Sequence, residues 1–279
     1  MTEAATPPPN ITLNNGVEIP QLGFGTYQID PATTGDVVGE ALRIGYRHID
    51  TAQLYGNERG VGEAVRASGL PREDVFVTSK LANDAHAYDD AMRAFDRTLA
   101  DLDIGHLDLF LIHWPMADSP VTYTETWRAM EAMHRSGRVR AIGVSNFEPA
   151  HLERLMDSSD TVPAVNQIEV NPYLTQHTVR EFNKKHGIAT EAWSPIAQGR
   201  SLDDPAITGI AEEHGRTSAQ VTLRWHVQRG DIVFPKSTTP SRMRENFEIF
   251  DFQLSPDEMA LIAALNRDER TGPAPSDIN

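Results

Sequence analysis

An aspartate, a tyrosine, a lysine and a histidine stand at or just beyond the ends of three short apolar segments of this chain. Gly45-Tyr46-Arg47-His48-Ile49-Asp50 ends on a carboxylate, with Tyr55 shortly after it. Residues 75–80 end on the amine of Lys80, and residues 107–113 on the imidazole of His113. Each has a plainer reading when taken singly: a capping Asp, a packed phenol, a solvated Lys, a hydrogen-bonded core His. If the three segments are strands of one parallel barrel, their C-termini converge on a single mouth, and the four side chains meet there. A neighbouring carboxylate keeps a buried amine charged, and a neighbouring ammonium lowers the pKa of a phenol, ordinarily ~10. The expectation is that Asp50 holds Lys80 charged and Lys80 makes Tyr55 a workable acid near neutral pH, able to protonate a reacting carbonyl oxygen. His113 would aim an N–H at that oxygen.

A second group lies at the end of the last apolar segment, Phe234-Pro235-Lys236-Ser237-Thr238-Thr239-Pro240-Ser241-Arg242. Cations, hydroxyls and a helix start suit a phosphate, and the last strands of a barrel often hold one. The plainer reading is an exposed turn. Arg242 could also stack on a flat base. Ser145, Asn146 and Gln167 end two further segments, and their donors and acceptors suit a carboxamide as well as neighbouring loops. Trp193 could stack on a planar ring or simply fill the core. Tyr27 and Trp114 would form a flat aromatic side of a pocket, with Asn83 as a polar contact. Gly60-Val61-Gly62-Glu63-Ala64-Val65 looks like the start of a dinucleotide motif, but it falls in a helical stretch and has Val where a third small residue is needed. The histidines show no ligand spacing for a metal, and none is expected.

Strand-like and helix-like stretches must position these groups, and they alternate along the chain. Strands are expected at 21–26, 48–52, 75–80, 107–113, 139–144, 164–170, 188–193 and 232–235. Helices are expected at 31–45, 58–68, 88–102, 123–136, 149–157, 176–186, 218–229 and 241–247. The strands are mostly continuous runs of Val, Ile, Leu and Phe, as in strands buried on both faces. Eight such units predict a closed (β/α)8 TIM barrel with right-handed crossovers. Asn14-Asn15-Gly16 predicts a β-hairpin before it, and Ser255-Pro256 opens an extra helix at 255–265 after it. No shift in composition marks a boundary, so one domain over 1–279 is expected, with 1–10 a disordered tail lacking the features of a signal peptide.

The formal net charge of −15 argues against binding to nucleic acid or anionic membranes, and it makes the local basic group more noticeable. No apolar run approaches the ~20 residues of a membrane helix. The chain has no cysteine, which excludes disulfides and thiolate chemistry and suits a reducing cytosol. A cytoplasmic monomer is the expectation.

Together these residues resemble the aldo-keto reductase superfamily. Gly45-Tyr46-Arg47-His48-Ile49-Asp50-Thr51-Ala52, with Glu58 and Gly62, matches its first signature. Arg140-Ala141-Ile142-Gly143-Val144-Ser145-Asn146-Phe147 matches the second. Lys236-Ser237, Arg242 and Glu245-Asn246 match the third, with Phe234 in place of a smaller aliphatic. Glu191-Ala192-Trp193-Ser194-Pro195 is most similar to the bacterial branch that includes 2,5-diketo-D-gluconate reductases. Ala82 replaces a frequent tryptophan, and Ala197 a frequent glycine.

The resemblance implies a barrel that binds NADPH across its mouth and reduces a small carbonyl substrate by hydride transfer. It makes Tyr55 the acid, tuned by Lys80 and Asp50, with His113 orienting the carbonyl. It implies coenzyme contacts at Gly25, Thr26, Ser145, Asn146, Gln167, Trp193, Ser194, Lys236, Ser237, Thr238, Arg242, Glu245 and Asn246. Tyr27, Ala82, Asn83 and Trp114 would line the substrate pocket. Two other readings compete: a Schiff-base aldolase using Lys80, which Asp50 opposes by keeping the amine charged, and a non-catalytic nucleotide-sensing barrel.

Overall fold

The structure, a computed structural model, describes residues 7–278. The chain enters through strand β1, Asn10–Thr12, paired antiparallel with β2, Glu18–Pro20. Gly16 takes a positive φ of 84° at the turn, as the Asn-Gly signal requires. Residues 1–6 of the expected tail lie outside the described residues. The rest of it belongs to the fold: Asn10 pairs with Pro20, and the Pro9 carbonyl accepts from the Gln21 N–H.

The barrel follows as β3 (Phe24–Gly25), α1 (Thr34–Ile44), β4 (His48–Asp50), α2 (Glu58–Ala67), β5 (Phe76–Leu81), α3 (Tyr88–Leu102), β6 (Leu107–Ile112), α4 (Tyr123–Arg135), β7 (Val139–Ser145) and α5 (Pro149–Asp157). It continues as β8 (Val165–Glu169), α6 (His177–Lys185), β9 (Ala189–Trp193), α7 (Pro205–His214), α8 (Ser218–Gln228), β10 (Ile232–Val233), α9 (Pro240–Phe247) and α10 (Pro256–Ala263). Strands β3 to β10 form one eight-stranded parallel sheet in chain order. A parallel bridge between Leu22 and Val233 closes it into the expected (β/α)8 barrel. The first strand is shorter than expected because only Phe24 and Gly25 pair with β4, whereas Gly23 turns its N–H to the Val233 carbonyl.

Helix α7 is not among the expected helices, and Gly209 weakens its local helical signal. Its start signal is nevertheless present: Asp204 accepts from the Ala206 N–H as N-cap, and Pro205 follows at the first helical position. Its buried Ile207, Ile210 and Ala211 pack with Val221, Trp225 and Ile262. Ser255 caps α10 as expected, accepting from the Glu258 N–H.

Alternation along a strand sends every second side chain into the barrel. At the N-terminal end those residues are apolar: Phe76, Leu109, Leu111, Ala141, Val165 and Ile232. With Leu13 and Ile19 of the hairpin they form a closed cluster, so the hairpin plugs that end. The glycines of the false dinucleotide motif serve helix packing. A Cβ on Gly62 would stand 1.8 Å from the Leu102 carbonyl oxygen, and one on Gly60 would stand 2.9 Å from Thr34 Cβ.

Candidate active site

At the C-terminal end the inward residues change from apolar to polar. Asp50 ends β4, Lys80 lies next to last in β5, and His113 follows β6 directly. Lys80 has no exposed surface. Its Nζ donates to Asp50 Oδ1 at 2.7 Å and to the Thr51 carbonyl at 2.8 Å, and it lies 3.4 Å from the Tyr55 hydroxyl. Tyr55 sits on a single 3₁₀ turn, Gln53–Tyr55. Gln53 fixes that turn. Its Nε2 donates to the Ala94 carbonyl and to Thr98 Oγ1, while its Oε1 accepts from the Ala82 N–H. The Tyr55 and His113 rings meet edge to face, with centroids 5.9 Å apart. The structure thus brings all four side chains to one mouth.

Tyr27 is exposed, with its ring 5.1 Å from that of Tyr55, and Trp114 stacks beside His113. Ala82 and Asn83 are half-buried just past β5, and the Asn83 Oδ1 atom is buried without a partner.

Burial decides the charges. It pushes His113 down to about 3, helped by the Lys80 charge, so the ring is neutral near neutral pH. Burial also pushes the Lys80 amine down, but Asp50 and Tyr55 outweigh it and hold the ammonium above its usual range. The Tyr55 phenol corrects the sequence expectation. Burial raises it above its usual range, and the Lys80 ammonium offsets only part of that rise. Desolvation penalises the phenolate more than one cation stabilises it. Tyr55 therefore holds its proton firmly at rest.

The neighbouring strand ends form a shelf. Asn146, in a left-handed backbone conformation just after β7, donates from Nδ2 to the His113 carbonyl and to Ser145 Oγ, both at 3.0 Å. Its Oδ1 accepts from Trp193 Nε1 at 2.9 Å, so its amide is engaged within the protein and braces the indole. Ser194 also has a positive φ, 49°, which turns the chain sharply after Trp193. Gln167 donates from one nitrogen to Asp50 Oδ2 and to Glu191 Oε2, and its amide oxygen makes no hydrogen bond among the described residues.

Beyond the shelf, the first and last strands touch: a Cβ on Gly25 would stand 2.7 Å from the Phe234 carbonyl oxygen. Thr26 donates through N and Oγ1 to the Asp50 carbonyl. Lys236, Thr238 and Arg242 are exposed at the start of α9, and Ser237 Oγ accepts from the Thr239 N–H. Neither Lys236 nor Arg242 joins an ion pair among the described residues, whereas neighbouring Arg244 is paired with Glu40. Asn246 is buried nearby, and Glu245 accepts from Thr217 Oγ1. A free amide oxygen, a half-buried indole and two unpaired cations at a helix start fit a long, flat, phosphate-bearing coenzyme laid across the mouth.

Residues 21–267 match the profile of the Aldo/keto reductase family. The chain belongs to the aldo-keto reductases. It is 50% identical over 271 residues to an aldo-keto reductase of Mycolicibacterium smegmatis, covering 97% of this chain and 98% of that one. It is 46% identical to a glyoxal reductase of Bacillus subtilis, covering 96% of each. Among solved structures, a Gox0644 mutant in complex with NADPH superposes with a TM-score of 0.93 at 46% identity, covering 98% of both chains. As an aldo-keto reductase, the protein is an oxidoreductase.

Sequence reasoning missed three residues that shape this reductase's mouth. Gln53 sets the tyrosine turn, and Glu191 faces Gln167. Glu169 ends β8 with no exposed surface and accepts from Thr271 N and Oγ1 at 2.6 Å each. That latch ties the C-terminal segment to the mouth, where a Cβ on Gly272 would meet the Trp193 ring at 2.6 Å. An acidic residue within a short strand segment was the available signal in β8 and β9.

Removing the ammonium alone should strand a buried carboxylate. Lys80→Met is expected to lose ~3–5 kcal/mol of stability, because Asp50, whose carboxyl burial already pushes above its usual range, is left without its cation. Lys80→Met combined with Asp50→Asn should recover part of that loss. Urea unfolding of the wild type, both single variants and the double variant measures the coupling. Simple addition of the two single losses would contradict a buried ion pair.

Proposed function

We propose that this protein reduces small aldehydes, ketones and dicarbonyls to alcohols with NADPH, using Tyr55 as the general acid. The observation that carries the reading is the Tyr55 hydroxyl, 3.4 Å from a fully buried ammonium and edge-on to a neutral imidazole at the barrel mouth.

NADPH, when bound, supplies the hydride for the carbonyl carbon. The protein's part is to place the carbonyl oxygen and manage the proton. The His113 nitrogen facing the mouth donates an N–H to that oxygen and orients it. Tyr55 donates a second hydrogen bond. As negative charge grows on the oxygen, the phenolic proton passes to it, and the Lys80 ammonium stabilises the phenolate left behind. Burial keeps Tyr55 protonated until an oxyanion develops beside it, so the proton moves when the reaction needs it. Asp50 keeps Lys80 charged throughout, which also disfavours the Schiff-base reading, since that route needs a neutral amine.

Gln167, Ser145 and Trp193 are assigned to the nicotinamide end, with Asn146 bracing the indole. Gly25, Thr26 and Ser194 are assigned to the coenzyme's path between the two ends. Lys236, Ser237, Thr238 and Arg242, backed by Glu245 and Asn246, are assigned to the adenosine phosphate end. The Bacillus subtilis relative is named for glyoxal, and dicarbonyls suit a mouth walled by Tyr27 and Trp114 with Asn83 as a polar contact. Such carbonyls also carry a more electrophilic carbon. Ala82 leaves room beside them.

Tyr55→Phe should lower kcat for phenylglyoxal by ~10²–10⁴-fold while NADPH affinity changes by less than about threefold. Retention of more than about a tenth of kcat, with chemistry rate-limiting, would remove Tyr55 as the donor. Arg242→Ala should weaken NADPH binding by roughly ten- to a hundredfold and leave NADH binding nearly unchanged. Fluorescence titration with both coenzymes measures this. Equal affinity of the wild type for the two would contradict the phosphate assignment.

A further inference from the structure

Asp50 is not the only carboxyl group on the inner face of the barrel mouth. Glu191, on β9, has no exposed surface and stands directly beside Gln167 in the β8–β9 register. The Gln167 nitrogen donates to Glu191 Oε2 at 2.7 Å and to Asp50 Oδ2 at 2.8 Å. A primary amide offers two N–H groups on one atom and an acceptor on the other. Two carboxyl groups converging on one end of the amide require that end to be the nitrogen, since an oxygen there would face the lone pairs of Asp50. The amide oxygen is left over. It accepts nothing among the described residues, and it is not a buried unpartnered atom. It therefore faces the mouth.

We infer that Glu191 is a positioning residue for coenzyme binding: together with Asp50 it locks the Gln167 amide oxygen-outward, so that Gln167 accepts an N–H from the nicotinamide carboxamide. The inference rests on the NADPH reading above. Asp50 alone satisfies only one of the two N–H groups. Without Glu191 the second would be buried unpaired, and the amide, left with one anchor, would swing about its hydrogen bond to Asp50. The lock would then loosen, and the amide oxygen would leave its aim at the mouth for part of the time.

The surroundings of Glu191 favour a neutral acid. Its Oε1 has no hydrogen-bond partner and lies 3.7 Å from His48 Nε2. Burial, with the Asp50 charge beside it, pushes the Glu191 carboxyl up to about 8, and burial pushes His48 down to about 3. Near neutral pH both are mostly uncharged. A proton on Oε1 leaves Oε2 as the acceptor for Gln167. Glutamine reproduces that arrangement, with an amide oxygen in place of Oε2, whereas leucine removes the acceptor.

The test compares NADPH with its reduced 3-acetylpyridine analogue, whose methyl ketone keeps the carbonyl oxygen of the carboxamide but has no N–H. Dissociation constants come from quenching of tryptophan fluorescence. The wild type should bind NADPH about tenfold more tightly than the analogue, the size of one neutral hydrogen bond. Glu191→Leu should lower that ratio to less than about threefold by weakening NADPH alone, and Glu191→Gln should keep it. If Glu191→Leu does not fold, Glu191→Met, which lacks a comparable acceptor but has a flexible chain, replaces it. A wild-type ratio near one would overturn the inference. So would a leucine or methionine variant that keeps the full ratio, or a glutamine variant that loses as much as leucine. A wild type that binds no NADPH would instead overturn the functional reading, whereas one that oxidises NADPH with phenylglyoxal yet ignores the analogue's change would sink only the role of Glu191.

Discussion

An ammonium group with no exposed surface is held 2.7 Å from a carboxylate where β4 and β5 end. Taking such a pair out of water is costly, and it persists only when the remaining donors and lone pairs are satisfied. Here they are. Lys80 also donates to the Thr51 carbonyl and approaches the Tyr55 hydroxyl, while Asp50 receives an N–H from Gln167. The pair therefore does more than join two strands. It fixes the charge against which the phenol is read, and it anchors the amide at the far side of the mouth. Removing its cation would alter the tyrosine, the shelf and the barrel together.

The barrel keeps this polar cluster away from its apolar filling by depth. Inward residues at the N-terminal end, capped by Leu13 and Ile19, close that end with hydrocarbon. The polar groups occupy the next positions along the same strands, where backbone carbonyls and loop hydroxyls can satisfy them. His48 and Glu191 mark the transition, each buried and each short of one hydrogen bond. Low polarity below the site is part of its electrostatics: the burial that lowers His113 and raises Tyr55 keeps one a neutral donor and the other a protonated acid.

Much of this was legible in the sequence. Apolar runs ending on Asp50, Lys80 and His113 gave three strands and their mouth residues, because strand ends in a parallel barrel share one face. The unpaired cations at Lys236 and Arg242 stood out against an acidic chain. What could not be read depended on partners far apart in sequence. Gln167 meets Asp50 across 117 residues, and Glu169 latches Thr271 across 102. Neither pairing leaves a local pattern, so Glu191 and Glu169 read only as charges within strand segments. The Tyr55 shift runs opposite to the sequence expectation for a related reason. A sequence can show that a cation follows a tyrosine, but the competing penalty is the burial of the ring, which only the packed structure sets. Helix α7 lies outside the sequence expectation; Gly209 weakens a segment that packing against Trp225 sustains.

The central claim is that Tyr55 rests as a firmly protonated donor beside a permanently charged Lys80. Titration of tyrosine labelled with ¹³C at Cζ, with the Tyr55 resonance assigned by its absence in Tyr55→Phe, tests it directly. This resonance should keep its phenol position beyond the ordinary tyrosine pKa of 10.0, because burial outweighs the neighbouring ammonium. A resonance that moves to the phenolate position below about pH 8 would show that the ammonium dominates, and would contradict the account.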